Sequence, residues 1–329
     1  MAPVTYLEAI RQGIYQEMMR DPRVFVIGED VGVYGGAFKV TEGFVHAFGS
    51  DRVIDTPISE TTIASACFGA ALTGMRPVGE FQFMDFISNA HSQIINVLAK
   101  ANYRWGAPAP VVLRGPSGGG VHGGPFHSQN PETYYAHTPG LKVICPATAH
   151  DAKGLIKSAI RDNNPVLFFE HKFLYRRIKE ELPQDDYTVE IGKARLHRTA
   201  PDAAKKAVSV ITYAAMVYIA EEAAQTLAKE GIELEILDLR TVAPLDREAI
   251  AATVKKTNRA ICLHEDTRAG GLAGEIMAVI NELAFDDLDA PIVRITSLDT
   301  PVPFSPPLEE VFLPTVEDVV REARRLVAY

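Results

Sequence analysis

The chain reads as two α/β domains, each a doubly wound layer of mainly parallel strands. Three observations predict this. Short apolar runs alternate with helical patterns along most of the 329 residues. The alternation breaks once, between Tyr175 and Pro201, and then restarts. The length also suits two domains of about 100–200 residues each.

The elements follow in order. Thr5–Met19 has helical spacing of apolar residues at Leu7, Ile10, Ile14 and Met18. Val24–Ile27 is a continuous apolar run, as expected of a strand buried on both faces. Arg52–Ile54 is strand-like, and a helix of small residues, Thr62–Thr73, ends at Gly74. Strand Pro77–Phe81 precedes a longer helix from about Ile87 to Tyr103 and strand Pro110–Leu113. Leu141–Cys145, a helix from about His150 to Arg161, and Val166–Glu170 complete the first series. Such alternation implies a parallel sheet with helices on both faces.

Tyr175–Pro201 is charged, contains Pro183 and Pro201, and suits a connector with some β character. The second series runs strand Val208–Thr212, helix Ala214–Glu230, strand Glu233–Leu239, helix Asp246–Lys256, strand Ala260–His264, helix Gly271–Leu283 and strand Ile292–Ile295. The expected boundaries are a first domain over 1–180, a linker over 181–205 and a second domain over 206–329.

Composition narrows the partners. A net charge of −9 and a pI near 5.5 argue against nucleic acid and anionic membrane. No run of 18 apolar residues exists, so no membrane-spanning helix is expected. Cys67, Cys145 and Cys262 are odd in number, far apart and in apolar contexts. They read as core packing in a reducing compartment. Met1-Ala2-Pro3-Val4 does not open a secretory leader, which makes a cytoplasmic location the expectation.

Three segments invite chemistry. In "DTPISET" (55–61) the carboxylate of Glu60 stands where a buried strand hands over to a helix. An ordinary explanation exists: Ser59 as N-cap, with Glu60 as a first-turn acid favoured by the helix dipole. In "RGPSGGGVHGGPFHSQ" (114–129) five glycines fall within Gly118–Gly124, beside His122 and His127. It matches no phosphate-binding pattern. It does follow a strand, at the end where parallel sheets bind ligands, and it carries aromatic residues costly to leave on a mobile loop. "EFQFMDF" (80–86) alternates polar and aromatic residues at another strand end, as a pocket wall or a half-buried strand would. There is no HExxH, no GxSxG elbow and no Cys near the paired histidines, so metal ligation by histidine and a serine nucleophile are set aside. His46, His91, His150, His171 and His197 read as surface or helix-face residues.

Together these segments resemble the β subunit of the E1 component of 2-oxo acid dehydrogenase complexes. The resemblance covers essentially the whole chain. It is carried by "VIGEDVG" (26–32), "TEGF" (41–44), "RVIDTPISE" (52–60), "RPVGEFQFMDF" (76–86), "HSQ" (127–129) and "PGLKVICP" (139–146). "DAKGLIKSAIRDNNPV" (151–166), "EILDLRTVAPLD" (235–246), "HEDTRAGGLAGEI" (264–276) and "LPTVEDVV" (313–320) continue it. One departure is "NYRWGAPAP" (102–110), a shorter passage than many members have between their "RYRSGG" and the "VVLR" strand.

The resemblance implies a transketolase-like pyrimidine-binding domain followed by a transketolase C-terminal-like domain, the latter making subunit and E2 contacts. It implies oxidative decarboxylation of a 2-oxo acid with thiamine diphosphate, and reductive acylation of the lipoyl group of E2. The superfamily's GDG motif, which holds the metal and diphosphate, is absent. That fits a β chain whose magnesium and diphosphate are held mainly by an α subunit in an α2β2 heterotetramer. Glu60 would face N1′ of the cofactor's aminopyrimidine and share a proton with it, which burial favours over a bare charge. Glu29, Ile58, Ser59, Gln82 and Phe86 would complete the cofactor contacts, Phe86 by stacking. His127 would move protons in acyl transfer, and Phe86, Ile87, Ser88, Asn89 and His127 would border the substrate. Backbone oxygens of Val111, Ala159, Ile160, Asp162 and Asn164 match a potassium site of some members. Pyruvate, branched-chain 2-oxo acids and acetoin all remain open as substrates, as does a non-catalytic scaffold chain that docks E2. A single-chain transketolase or deoxyxylulose-phosphate synthase would need diphosphate-binding machinery that this chain lacks.

Overall fold

The computed structural model describes residues 3–202 and 204–329. Met1 and Ala2, part of the stretch read for a leader, and Ala203 in the connector lie outside the described residues. The chain divides into two compact units: Met1–Gly118 with Tyr134–Ile191, and Gly119–Thr133 with Gly192–Tyr329. The glycine-rich loop, read from sequence as part of the first domain, thus groups with the second unit.

In the first unit the strands lie in the order Val53–Asp55, Val24–Gly28, Arg76–Glu80, Val112–Ser117, Val166–His171, Lys142–Ile144, every pair parallel. Val24–Gly28, Val112–Ser117 and Val166–His171 are buried throughout, which explains the apolar residues that open each of them. The winding reverses between Val24–Gly28 and Arg76–Glu80. The chain steps from the first of these to Val53–Asp55 on one side, then returns past it to Arg76–Glu80 on the other. Right-handed crossovers in opposite directions put their helices on opposite faces and open a crevice at the strands' carboxyl ends.

Helix Tyr6–Arg20 begins with a capping box between Thr5 and Glu8 and packs along helix Ala149–Arg161. Lys157 Nζ donates to Gln16 Oε1 at 3.0 Å, and Arg161 Nη2 to Glu17 Oε1 at 2.6 Å, tying the two helices.

The expected helix over 87–103 is broken. A 3₁₀ stretch over Met84–Ala90 passes into a π turn over Gln93–Val97, another 3₁₀ turn, and a short α-helix over Ala101–Trp105. The Asn89 carbonyl accepts from the Thr61 hydroxyl at 2.6 Å, a tertiary bond that apolar spacing does not register.

The second unit's sheet runs Val293–Ser297, Ala260–Thr267, Ala207–Thr212, Glu233–Asp238, Arg195–Arg198. The first four are parallel and the last pairs antiparallel. Part of the expected connector is therefore an edge strand, while its Lys179–Glu180 pairs antiparallel with Val4–Thr5 in the first unit. Among the described residues no helix is long and apolar enough to cross a membrane. The three cysteines are free and buried, and burial pushes the thiols of Cys67 and Cys262 up to about 12.

Candidate active site

The crevice of the first unit collects carboxylates. Glu29 directly follows strand Val24–Gly28 and is buried. Glu60 opens helix Glu60–Leu72 and is only 5% exposed. It stands in the first turn, as the ordinary explanation has it, but buried rather than solvated. Ser59 does occupy the N-cap position, but its side chain makes no cap to the backbone; its hydroxyl lies 2.7 Å from that of Thr62. Glu60 Oε2 instead accepts from the Asn89 side-chain amide at 3.0 Å.

Burial raises the pKa of Glu29, and the neighbouring Glu60 charge raises it further. Its Oε1 is buried without a hydrogen-bond partner among the described residues. A buried polar atom in that state calls for a ligand or water to satisfy it. Gln82 Nε2 donates to Asp30 Oδ2 at 3.2 Å, which ties the wall after Arg76–Glu80 to the loop after Val24–Gly28. That loop is closely fitted: Gly32 N–H donates to Asp55 Oδ1 at 2.7 Å, and a Cβ at Gly32 would lie 2.3 Å from Asp55 Oδ2. Phe86 is half-buried and meets Phe83 edge to face at 6.2 Å. Ser88 and Asn89 are exposed. Between them, the side chain of Ile87 is fully buried, turned into the core by the 3₁₀ phase. Ile58 stands out at 81% exposure on the rim.

Beneath the crevice lies a group that sequence reasoning missed. Arg114, 1% exposed, is paired with Glu80 and Glu170, and the Tyr175 hydroxyl donates to Glu170 at 2.7 Å. Burial, outweighing Arg114, lifts the Glu80 carboxyl to about 7. The available signal was a charged residue inside the apolar run "VVLRG". His171, expected at the surface, is buried at the end of its strand.

His127 belongs to the second unit's loop, at the end of the turn Gly124–Phe126. The loop is held by carboxylates that sequence reasoning also left unassigned: Glu265, Asp266 and Glu309. Glu132 is buried and accepts from Tyr213 at 2.7 Å; burial and nearby Asp266 lift it to about 8. Burial lowers His264 to about 4, so it is neutral near pH 7.

At the matched potassium positions, Ile160 O accepts from Arg76 Nε at 2.7 Å and Asp162 O from Arg76 Nη2. Val111 O accepts from Val166 N–H at 2.9 Å, Ala159 O from Asp162 N–H at 3.3 Å, and Asn164 N–H donates to Asp162 Oδ1 at 2.8 Å. No group of three or more metal-ligating side chains occurs among the described residues.

The first unit is thus a doubly wound parallel sheet with two buried acids, Glu29 and Glu60, just beyond the carboxyl ends of its strands. Residues 2–177 match the family described as "Transketolase, pyrimidine binding domain", and residues 193–319 match "Transketolase, C-terminal domain". A solved chain titled "Split gene transketolase, inactive beta4 tetramer" shares the fold, with a TM-score of 0.79 at 21% identity over 99% of this chain and 98% of that one.

Relatives specify the branch. The chain is 47% identical to the 2-oxoisovalerate dehydrogenase subunit beta of Bacillus subtilis (strain 168), with all of each chain covered. It is 44% identical to the pyruvate dehydrogenase E1 component subunit beta of the same organism and 42% to that of Staphylococcus aureus (strain COL), again over the full lengths. The chain belongs to the family of E1 β subunits of the thiamine-diphosphate-dependent 2-oxo acid dehydrogenases.

Proposed function

We propose that this chain is the β half of an E1 that oxidatively decarboxylates a branched-chain 2-oxo acid or pyruvate and passes the acyl group to the lipoyl group of E2. One observation carries the reading: Glu60 is buried at the switch-point crevice, with one oxygen held by Asn89. In that position Glu60 holds a proton at N1′ of the aminopyrimidine, where a solvated acid would not. Thiamine diphosphate, when bound, supplies the carbanion and the electron sink for decarboxylation. Glu29 offers a buried oxygen without a partner among the described residues, as a polar ligand group requires. Phe86 stacks on the pyrimidine, Gln82, Ile58 and Ser59 line it, and Phe86–Asn89 border the substrate. His127 gives and takes the proton of acyl transfer, a task suited to imidazole, whose unperturbed pKa is about 6.5.

The reading includes an α partner in an α2β2 assembly, which supplies the magnesium and diphosphate site. Two features support it. The chain has no GDG, and Val33, Tyr34 and Ile58 stand exposed beside the crevice, where a partner chain would cover them. Potassium at the backbone oxygens of Val111, Ala159, Ile160, Asp162 and Asn164 belongs to the same reading. The carboxyl end of helix Ala149–Arg161 favours a cation, and the Arg76 bonds leave a second lone pair on each of the Ile160 and Asp162 oxygens. A higher Tm in potassium than in Tris salts of equal ionic strength would be its signature. A cytoplasmic setting agrees with the buried free thiols.

Co-expression with the cognate α chain, followed by decarboxylation assays on 2-oxoisovalerate, pyruvate and acetoin, tests the reading. Turnover of 2-oxoisovalerate or pyruvate is expected. Turnover of acetoin alone would make this an acetoin dehydrogenase subunit, and no turnover in a well-formed complex would favour a scaffold chain.

A further inference from the structure

The loop Gly119–Thr133 contains little regular structure, so the placing of His127 depends on where the loop's polar groups are tied. Glycine-rich backbone loses much freedom on ordering and needs directional bonds to hold it. Buried carboxylates supply them on both sides of His127. Gly120 N–H and His122 N–H each donate to Glu309 at 3.0 Å, one to each oxygen, and His122 Nδ1 lies 2.7 Å from Glu309 Oε2. Gly119 N–H donates to Glu265 Oε1 at 2.5 Å, and the Asn130 amide reaches the same oxygen at 2.8 Å. The Thr133 hydroxyl donates to Asp266 at 2.9 Å. Between these ties, Gly124 at φ +67° fits against Phe304, where a Cβ would come within 2.3 Å of the ring.

Glu309 is 1% exposed and Glu265 is 6% exposed. Burying a carboxylate is costly unless donors satisfy it, and charge-assisted bonds from N–H groups are among the stronger ones. The loop supplies donors to both acids, and both acids order the loop. We infer that Glu309, assisted by Glu265, is a positioning residue for acyl transfer, setting the location of His127 through the loop backbone. This rests on the reading of His127 given above.

The test uses the α2β2 enzyme with thiamine diphosphate and magnesium, and compares two assays. One is reductive acylation of a lipoyl domain of its E2; the other is decarboxylation with ferricyanide as electron acceptor. Glu309→Ala should lower acylation by about 10–100-fold, the scale of a displaced catalytic group, while ferricyanide-coupled turnover changes little. Glu309→Gln, which keeps one acceptor oxygen, should recover part of the loss, and it reads the same ratio if the alanine variant fails to assemble. An unchanged ratio between the assays, whatever the effect on Tm, would overturn the inference. His127→Ala is measured in parallel. A selective acylation loss in His127→Ala without one in the Glu309 variants removes the positioning role and leaves His127 standing. No selective loss in His127→Ala removes both.

Discussion

Asn89 donates its side-chain amide to Glu60 Oε2 at 3.0 Å, and its backbone carbonyl accepts from the Thr61 hydroxyl at 2.6 Å. A single residue of an irregular helical segment thus fixes both the acid and the helix turn that presents it. A carboxylate held this way has one oxygen committed and its helix start immobilised. That preorganisation suits proton exchange with a ring nitrogen better than a mobile surface acid would.

Glu60→Gln should leave folding nearly intact, since the amide oxygen can still accept from Asn89. It should lower decarboxylation in the assembled enzyme by about 10²–10⁴-fold, the range of general acid–base contributions. Near-normal turnover would reduce Glu60 to a helix-start residue.

Thiamine diphosphate should bind the isolated chain poorly and the α2β2 assembly well. The motive is a chain without the GDG motif whose Glu29 holds a buried oxygen with no partner among the described residues. Calorimetry with and without magnesium decides it. Tight magnesium-dependent binding by this chain alone would sink the half-site reading.

Arg114→Leu should destabilise the first unit by about 3–5 kcal/mol, because it leaves Glu80 and Glu170 buried without their cation. Replacing all three by apolar residues of similar volume should restore most of the loss. Denaturant midpoints of the two variants are the measurement; equal losses would mean that packing around the arginine stem dominates.

Glu132→Gln should give an advantage in Tm that depends on pH. The folded carboxyl titrates at about 8 against an ordinary 4.5, with burial and then Asp266 as the causes. Between those values the folded chain holds a proton that the unfolded chain has lost. The group's contribution to stability therefore falls as pH rises through this window. Glutamine stays neutral and can still accept from Tyr213. Its Tm advantage should grow from about pH 5 to about pH 8 and level off above. A constant offset across that range would contradict the raised carboxyl.

Much of the fold was legible because it is written locally. Val24–Ile27 and Val166–Phe169 are strands buried on both faces, and an unbroken apolar run is the direct imprint of that environment. Glu60 was conspicuous because an acid between a buried strand and a helix conflicts with the apolar pattern around it. Other features left a weaker imprint. The expected helix over 87–103 is instead a succession of 3₁₀, π and α turns, which apolar spacing does not distinguish from one continuous helix. His171 read as a surface residue because one imidazole type serves both cores and surfaces, and only the neighbouring strands decide which.

By itself the sequence determined the alternation of strands and helices and, through its ordered motifs, the family. The order of the strands, the position of the switch point and the grouping of Gly119–Thr133 with the second unit were decided by tertiary structure alone. So were the bonds from Asn89 to Glu60 and from the loop to Glu265 and Glu309. Each joins residues that are far apart in the chain, and hydrogen bonds and desolvation act through distance in space, which residue spacing along a chain does not encode.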